Sequence, residues 1–188
     1  MEKIDLVKKY KSYYKARPRP ELAIFGKVHY ISLTGKGDPS SRLFAEKVQA
    51  RYATAYTLKF MCKERGRDFA VPKPQGLWWF DAAKYKDVSM SEVPASVPRH
   101  VWEYRLLIRM PDFVSAREVS LAVDAVVAKK GLPFTEEIVL YEMEEGHCIQ
   151  MLHTGPFSEE AKSLSQMSDF MKANNLTGNG LHHEIYLS

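Results

Sequence analysis

Ile138-Val-Leu-Tyr-Glu-Met143, Glu144-Glu-Gly146, His147-Cys-Ile-Gln-Met-Leu-His153 and Thr154-Gly-Pro-Phe-Ser158 follow one another without a break, and their order decides the fold. Two apolar runs separated by a glycine-containing acidic triplet predict a β-hairpin. The Gly-Pro-Ser loop leads into a helix. Glu159 and Glu160 stand in its first turn, where the helix dipole favours them, and Ala161, Leu164, Met167 and Met171 form its apolar stripe. After the polar loop 174–180 a short strand ends the sequence. The same succession occurs earlier. Leu22–Phe25 and Val28–Thr34 flank Gly26-Lys27, a two-residue turn by composition. The loop Gly35-Lys-Gly-Asp-Pro-Ser40 follows, and its serines can cap a helix. Phe44, Val48, Tyr52, Ala55, Leu58 and Cys62 then recur at helical spacing, predicting a helix from about Ser41 to about Lys63. Gly76-Leu-Trp-Trp-Phe80 is the strand beyond it.

Between the two copies, Val101–Met110 alternates as a strand. Trp102, Tyr104, Leu106 and Ile108 share one face; Glu103, Arg105, Leu107 and Arg109 share the other. Ser115-Ala-Arg-Glu118 is a capping box that opens a helix ended by Gly131. The long segment 81–99 reads as a loop or lid. The predicted fold is therefore α+β: duplicated strand-helix-strand-strand units with pseudo-two-fold symmetry (about 21–110 and 111–188). Antiparallel sheets would carry helices on one side, and the other faces of the two halves would meet in a central ligand cleft. Residues 1–20 form a basic N-terminal segment, read as a tail or a loosely docked helix and too short for a helix-turn-helix domain.

The 188 residues, 45% hydrophobic and 27% charged, fit one globular domain. The net charge of +4 is spread over the chain, which argues against a nucleic-acid partner. No run is long enough to span a bilayer and no signal-peptide core is evident, so a cytoplasmic location without a membrane partner is expected.

The chemistry concentrates in His182-His-Glu-Ile-Tyr-Leu-Ser188. On a strand, His182, Glu184 and Tyr186 share one face, while Ile185 and Leu187 anchor the other. Such a Glu184 is either a solvated edge residue, a counter-charge for a flat lipophilic cation, or a general base. Burial among aromatic rings would raise its pKa. Trp78, Trp79, Trp102, Tyr104, Tyr141 and Tyr186 are candidate walls, each of which core packing would also explain. Neighbouring Trp78 and Trp79 must point opposite ways. His182 and His183 also point to opposite faces and cannot chelate one ion together, so no metal and no cofactor are expected. Cys148 has no base beside it in sequence, and Gly35-Lys-Gly37 lacks the phosphate-loop pattern and reads as a turn.

Gly35-x-Gly-Asp-Pro39, Tyr56–Met61, Gly76–Trp79, Leu107-Ile-Arg-x-Pro-Asp-Phe-Val114, Leu152-His-x-Gly-Pro156 and His182–Ser188 together resemble the GyrI-like small-molecule-binding family over roughly residues 20–188. The resemblance implies an aromatic cleft with a buried acidic residue at Glu184. Family members serve as effector domains of multidrug-responsive regulators, as stand-alone drug-binding proteins, or as modulators of DNA gyrase. Stand-alone members are also linked to hydrolysis of cyclopropane-bearing alkylating toxins. Two functions are therefore expected. One is binding of lipophilic, often cationic, aromatic molecules. The alternative is hydrolysis with Glu184 as general base and Tyr104 or Tyr141 steadying the leaving oxygen.

Overall fold

The computed structural model describes residues 3–188. Two one-turn helices, α1 (Leu6–Lys9) and α2 (Lys11–Tyr14), precede β1 (Glu21–Lys36), α3 (Arg42–Glu64) and β2 (Pro74–Trp79). A short helix α4 (Val93–Ser96) and a 3-10 turn at 99–101 lead to β3 (Glu103–Met110). Then come α5 (Ala116–Lys130), β4 (Val139–Gln150), α6 (Glu160–Ala173) and β5 (His182–Ile185). The strands form one antiparallel sheet in the order β4-β1-β3-β2-β5. The first half supplies β1–α3–β2–β3 and the second supplies β4–α6–β5, and both halves share the sheet.

Helix boundaries follow the capping chemistry. The Ser41 hydroxyl accepts from the Phe44 amide at the start of α3, and Ser115 with Glu118 closes the capping box of α5. Gly131 ends α5 in the left-handed conformation. The loop 81–99 contains α4 but is otherwise built of turns.

Both expected hairpins are instead single long strands. They pair with each other in one unbroken register, from Glu21 opposite Gln150 to Ser32 opposite Val139. The two stretches that read as turns lie side by side, with Phe25 opposite Gly146 and Lys27 opposite Glu144. Gly146 has φ +62, and the inward positions of β1 change from Ala23 and Phe25 to Val28 and Tyr30 across Gly26. The glycines therefore bend a two-stranded ribbon rather than reverse either chain. Gly35 lies inside β1. A Cβ there would collide with the Tyr104 ring, so this glycine makes room for a core aromatic and does not form a turn.

The main core lies between the sheet and helices α3 and α5. Ile31, Leu33, Leu106, Ile108 and Met110 pack there on Ala55, Leu58, Val119 and Ala122. Arg51 of α3 is buried in this layer and donates to the carbonyls of Gln75 and Leu107 at 3.2 and 3.3 Å. Those bonds tie the helix to β2 and β3.

The opposite face carries Val28, Tyr30, Leu77 and Leu107, and the N-terminal segment covers it. Leu6, Tyr13 and Tyr14 are buried, which corrects the expectation of a loosely docked tail. Tyr13 donates to Gln75 Oε1 (2.8 Å) and shares a hydrogen bond with Tyr30 (2.7 Å). Its ring meets Tyr14 and Phe25 edge-on, and the Arg109 guanidinium lies over Tyr10 and Tyr13. His183 of edge strand β5 bonds Gln75 (3.0 Å) and Glu145 of the other edge strand, β4 (3.1 Å). This link draws the two edges together and curls the sheet into a half-barrel. Among the described residues, the N-terminal segment thus packs on the helix-free face.

Candidate functional site

The pairing of β2 with β5 sets Gly76 beside Glu184 and Trp78 beside His182. These residues share the helix-bearing face, at the end of the sheet where Phe44 of α3 and Glu160 of α6 reach over it. The Phe44 ring stacks on Trp78 at 6.0 Å and meets Tyr104 edge-on at 4.9 Å. Trp78 also contacts Trp102 at 5.9 Å and Tyr104 at 5.5 Å, and Phe157 stands 6.3 Å from Tyr186. Trp102 is held by its indole N–H, which donates to the Val97 carbonyl at 3.1 Å. The segment 93–102 is thereby fixed to the aromatic cluster.

A chain of donors runs through these rings to Glu184. The Trp78 indole N–H donates to the Tyr186 hydroxyl at 3.0 Å, and that hydroxyl donates to Glu184 Oε2. The other carboxylate oxygen, Oε1, faces His182 Nε2 at 3.3 Å, and the same nitrogen lies 3.6 Å from Glu160 Oε1. Gly76 permits this packing, because a Cβ there would stand 2.9 Å from the Trp78 nitrogen and 3.2 Å from the Tyr186 oxygen.

The electrostatics follow from these contacts. Burial works against the charged form of His182, but hydrogen bonds to Glu160 and Glu184 outweigh it and push its pKa up to about 9. Burial likewise works to raise the Glu184 pKa. The His182 and Tyr186 donors overcome it, so the carboxyl sits below its ordinary value. The sequence-based expectation of a raised pKa is corrected by two donors that strand alternation places on either side of the carboxylate. Tyr186 is held protonated by burial and by the neighbouring Glu184. His182 and Glu184 therefore stand as an imidazolium–carboxylate pair at neutral pH, and the Glu160 carboxyl lies beside the same imidazole nitrogen.

Of the residues singled out from sequence, Glu184, His182, Tyr186, Trp78, Trp102 and Tyr104 come together here. Tyr104 is fully buried, and its hydroxyl has no partner among the described residues. Trp79 and Tyr141 do not join them. They pack on the opposite face, where Tyr141 lies under the Arg105 guanidinium at 4.1 Å, because side chains of a strand alternate. Phe44 and Glu160 were missed. Phe44 reads as one more position of a helix stripe and Glu160 as a first-turn acid. Only the packing of α3 and α6 over β2 and β5 reveals them. A cavity of about 320 Å³ opens on the outer side of Tyr186, walled by Tyr52, Tyr56, Pro72, Pro74 and Ser188.

Residues 25–188 match the GyrI-like small molecule binding domain. The chain belongs to this family. Three solved structures from Listeria innocua resemble this GyrI-like protein. One is an uncharacterized conserved protein, 33% identical with a TM-score of 0.85 over 99% of this chain and 91% of that chain. A second is described as a hydrolase (33% identity, TM-score 0.84, 99% of this chain and 94% of that one). The third is also described as a hydrolase (34% identity, TM-score 0.85, 100% and 91%). No curated protein matches significantly. Among the described residues no helix is long and apolar enough to cross a membrane.

Proposed function

We propose that this GyrI-like protein binds lipophilic, cationic aromatic small molecules, with Glu184 as counter-charge and the rings of Trp78, Trp102, Tyr186 and Phe44 as walls. The observation that carries this reading is the pair of carboxyl groups, Glu160 and Glu184, set against a cluster of aromatic rings. A flat organic cation gains from both, at about 0.5–2 kcal/mol per good cation–π contact. The cavity beside Tyr186 offers room for the apolar part of such a ligand. Cys62 and Cys148 are free thiols, and we place the protein in the cytoplasm. Calorimetry with a rhodamine dye and with an uncharged dye of similar shape tests the reading. The cationic dye should bind to wild type and lose most of its affinity in Glu184→Gln, and equal binding of both dyes would refute it.

A second reading rests on the two Listeria innocua structures described as hydrolases. Glu184 is an ionised, partly accessible carboxylate able to take a proton from water. That water would attack the ring carbon of a strained electrophile. The ring bond would break, its electrons would pass into the conjugated acceptor, and a tyrosine hydroxyl would steady the oxygen that gains charge. Tyr186 can take that part; Tyr104, fully buried in the core, and Tyr141, on the other face, cannot. Consumption of a cyclopropane-bearing alkylator by wild type, absent in Glu184→Gln, would favour this reading over binding alone.

A further inference from the structure

Glu160, His182 and Glu184 each offer one ligand atom, and the three atoms lie within 4.8 Å of one another. Two of the three separations are 3.3 Å (Glu184 Oε1 to His182 Nε2) and 3.6 Å (Glu160 Oε1 to His182 Nε2). Around a tetrahedral ion with ligand bonds of about 2.0–2.2 Å, neighbouring donor atoms stand roughly 3.3–3.6 Å apart. The atoms therefore already hold the spacing of a coordination edge, with the imidazole nitrogen facing both carboxylates.

The surrounding structure fixes the two donors of β5 and brings the third to them. His182 and Glu184 are two residues apart on β5 and so share a face. Strand β5 is held from behind by His183, bonded to Gln75 and Glu145. Glu160 is the first residue of α6. Tyr186 donates to Glu184 Oε2, the oxygen turned away from His182. That hydrogen bond orients the carboxylate and leaves Oε1 for coordination, as outer-shell donors do in metal sites. The sequence argument against a metal was that His182 and His183 cannot chelate together. It holds for that pair, since His183 lies on the other face. The third donor comes from a different element.

We propose that Glu160, His182 and Glu184 form a binding site for one divalent transition-metal ion of the Zn²⁺ or Mn²⁺ type. The ion is held by one imidazole nitrogen and two carboxylate oxygens, with a fourth position open to water or to a ligand in the aromatic cluster. One imidazole and two carboxylates with no thiolate suit these ions better than Cu⁺ or an iron–sulfur cluster. The ion occupies the place between Nε2 and the two carboxylates that a shared proton holds in its absence. The site goes beyond the organic-cation reading and stands on its own geometry.

The test uses the full chain, freed of metal by chelator. Co²⁺ is added while its visible absorption is followed, and Zn²⁺ is titrated in competition with a chromophoric chelator. Saturation at one ion per chain is expected, with the intense visible bands of four-coordinate Co²⁺. Glu160→Gln should weaken Zn²⁺ binding by at least about tenfold, the scale on which even outer-shell changes act, and His182→Gln by more. His147→Asn, which removes an exposed histidine of β4 outside the cluster, should change nothing. Binding that never saturates at one ion, or that is equally tight in Glu160→Gln and His182→Gln, would overturn the site. Rhodamine binding to the metal-free protein separates the two readings, because a bound ion would take up the carboxylates that the dye needs. Dye bound by a protein that takes up no ion sinks the ion site alone. A stoichiometric ion site in a protein blind to the dye sinks only the organic-cation reading.

Discussion

The two faces of one short strand, β5, use the same residue types to opposite ends. On the helix-free face, His183 joins Gln75, Glu145, Tyr13 and Tyr30 in a buried network. There the chain's own Tyr13 fills the space a ligand would need. On the helix-bearing face, His182, Glu184 and Tyr186 meet Trp78 and Glu160. That network holds two carboxyl groups and borders a cavity. Hydrogen bonds that link one edge of a sheet to the other help lock a fold. Carboxyl groups set among aromatic rings beside a cavity are suited to an outside partner. Side-chain alternation alone assigns neighbouring residues of β5 to these two tasks.

The largest effect should come from breaking the sealed face. Tyr13→Ala removes a buried ring, takes the hydrogen-bond partner from Tyr30 and leaves Gln75 Oε1 with His183 alone. It should cost about 3–5 kcal/mol of stability, measurable by urea denaturation, while dye affinity of the folded protein changes little. A large loss of affinity in the folded variant would show that the faces are not separate in function. Gly35→Ala, which drives a methyl into the Tyr104 ring, should cost about 1–3 kcal/mol and also weaken the dye, because Tyr104 supports Phe44 and Trp78.

A smaller effect should appear with pH. The folded pKa of His182 is raised from 6.5 to about 9. Its contribution to stability is therefore complete below pH 6.5 and is lost as pH rises through 9. Glu184, lowered from 4.5, contributes above pH 4.5 and is lost as pH falls through its folded value. Thermal melts across pH 5–10 should show a decline on the alkaline side that His182→Gln flattens. An unchanged decline in that variant would mean that His182 is not held as an imidazolium. The smallest effect is expected for Trp79→Phe and Tyr141→Phe, which should leave dye affinity unaltered. A loss in either would place the ligand on the wrong face of the sheet.

Much of this was legible in the sequence because the physics was local. The capping box at Ser115, the serine cap of α3 and the alternation of β3 all act within a few residues. The grouping of His182, Glu184 and Tyr186 follows from strand periodicity. What was misread depended on distant partners. Gly26-Lys27 has the composition of a turn, yet β4 pairs with β1 on both sides of it, from Glu21 to Ser32, and pairing wins over turn preference. Tyr13 and Tyr14 lie in a stretch dominated by lysine, so their burial against Tyr30 and Gln75 leaves no local pattern. Glu160 sits where a helix dipole alone would favour an acid. The downward shift of Glu184 needs the donors on both sides of it, which a count of nearby aromatic rings omits.

The most direct test of the central claim is a tryptophan-fluorescence titration with a rhodamine, on wild type and Glu184→Gln, with product analysis of the same mixtures. Trp78 and Trp102 line the site, so binding should quench saturably. The account predicts affinity at least about tenfold weaker in Glu184→Gln, a difference of about 1.4 kcal/mol, with the dye recovered intact. Equal quenching curves for the two proteins, or none in either, would contradict it.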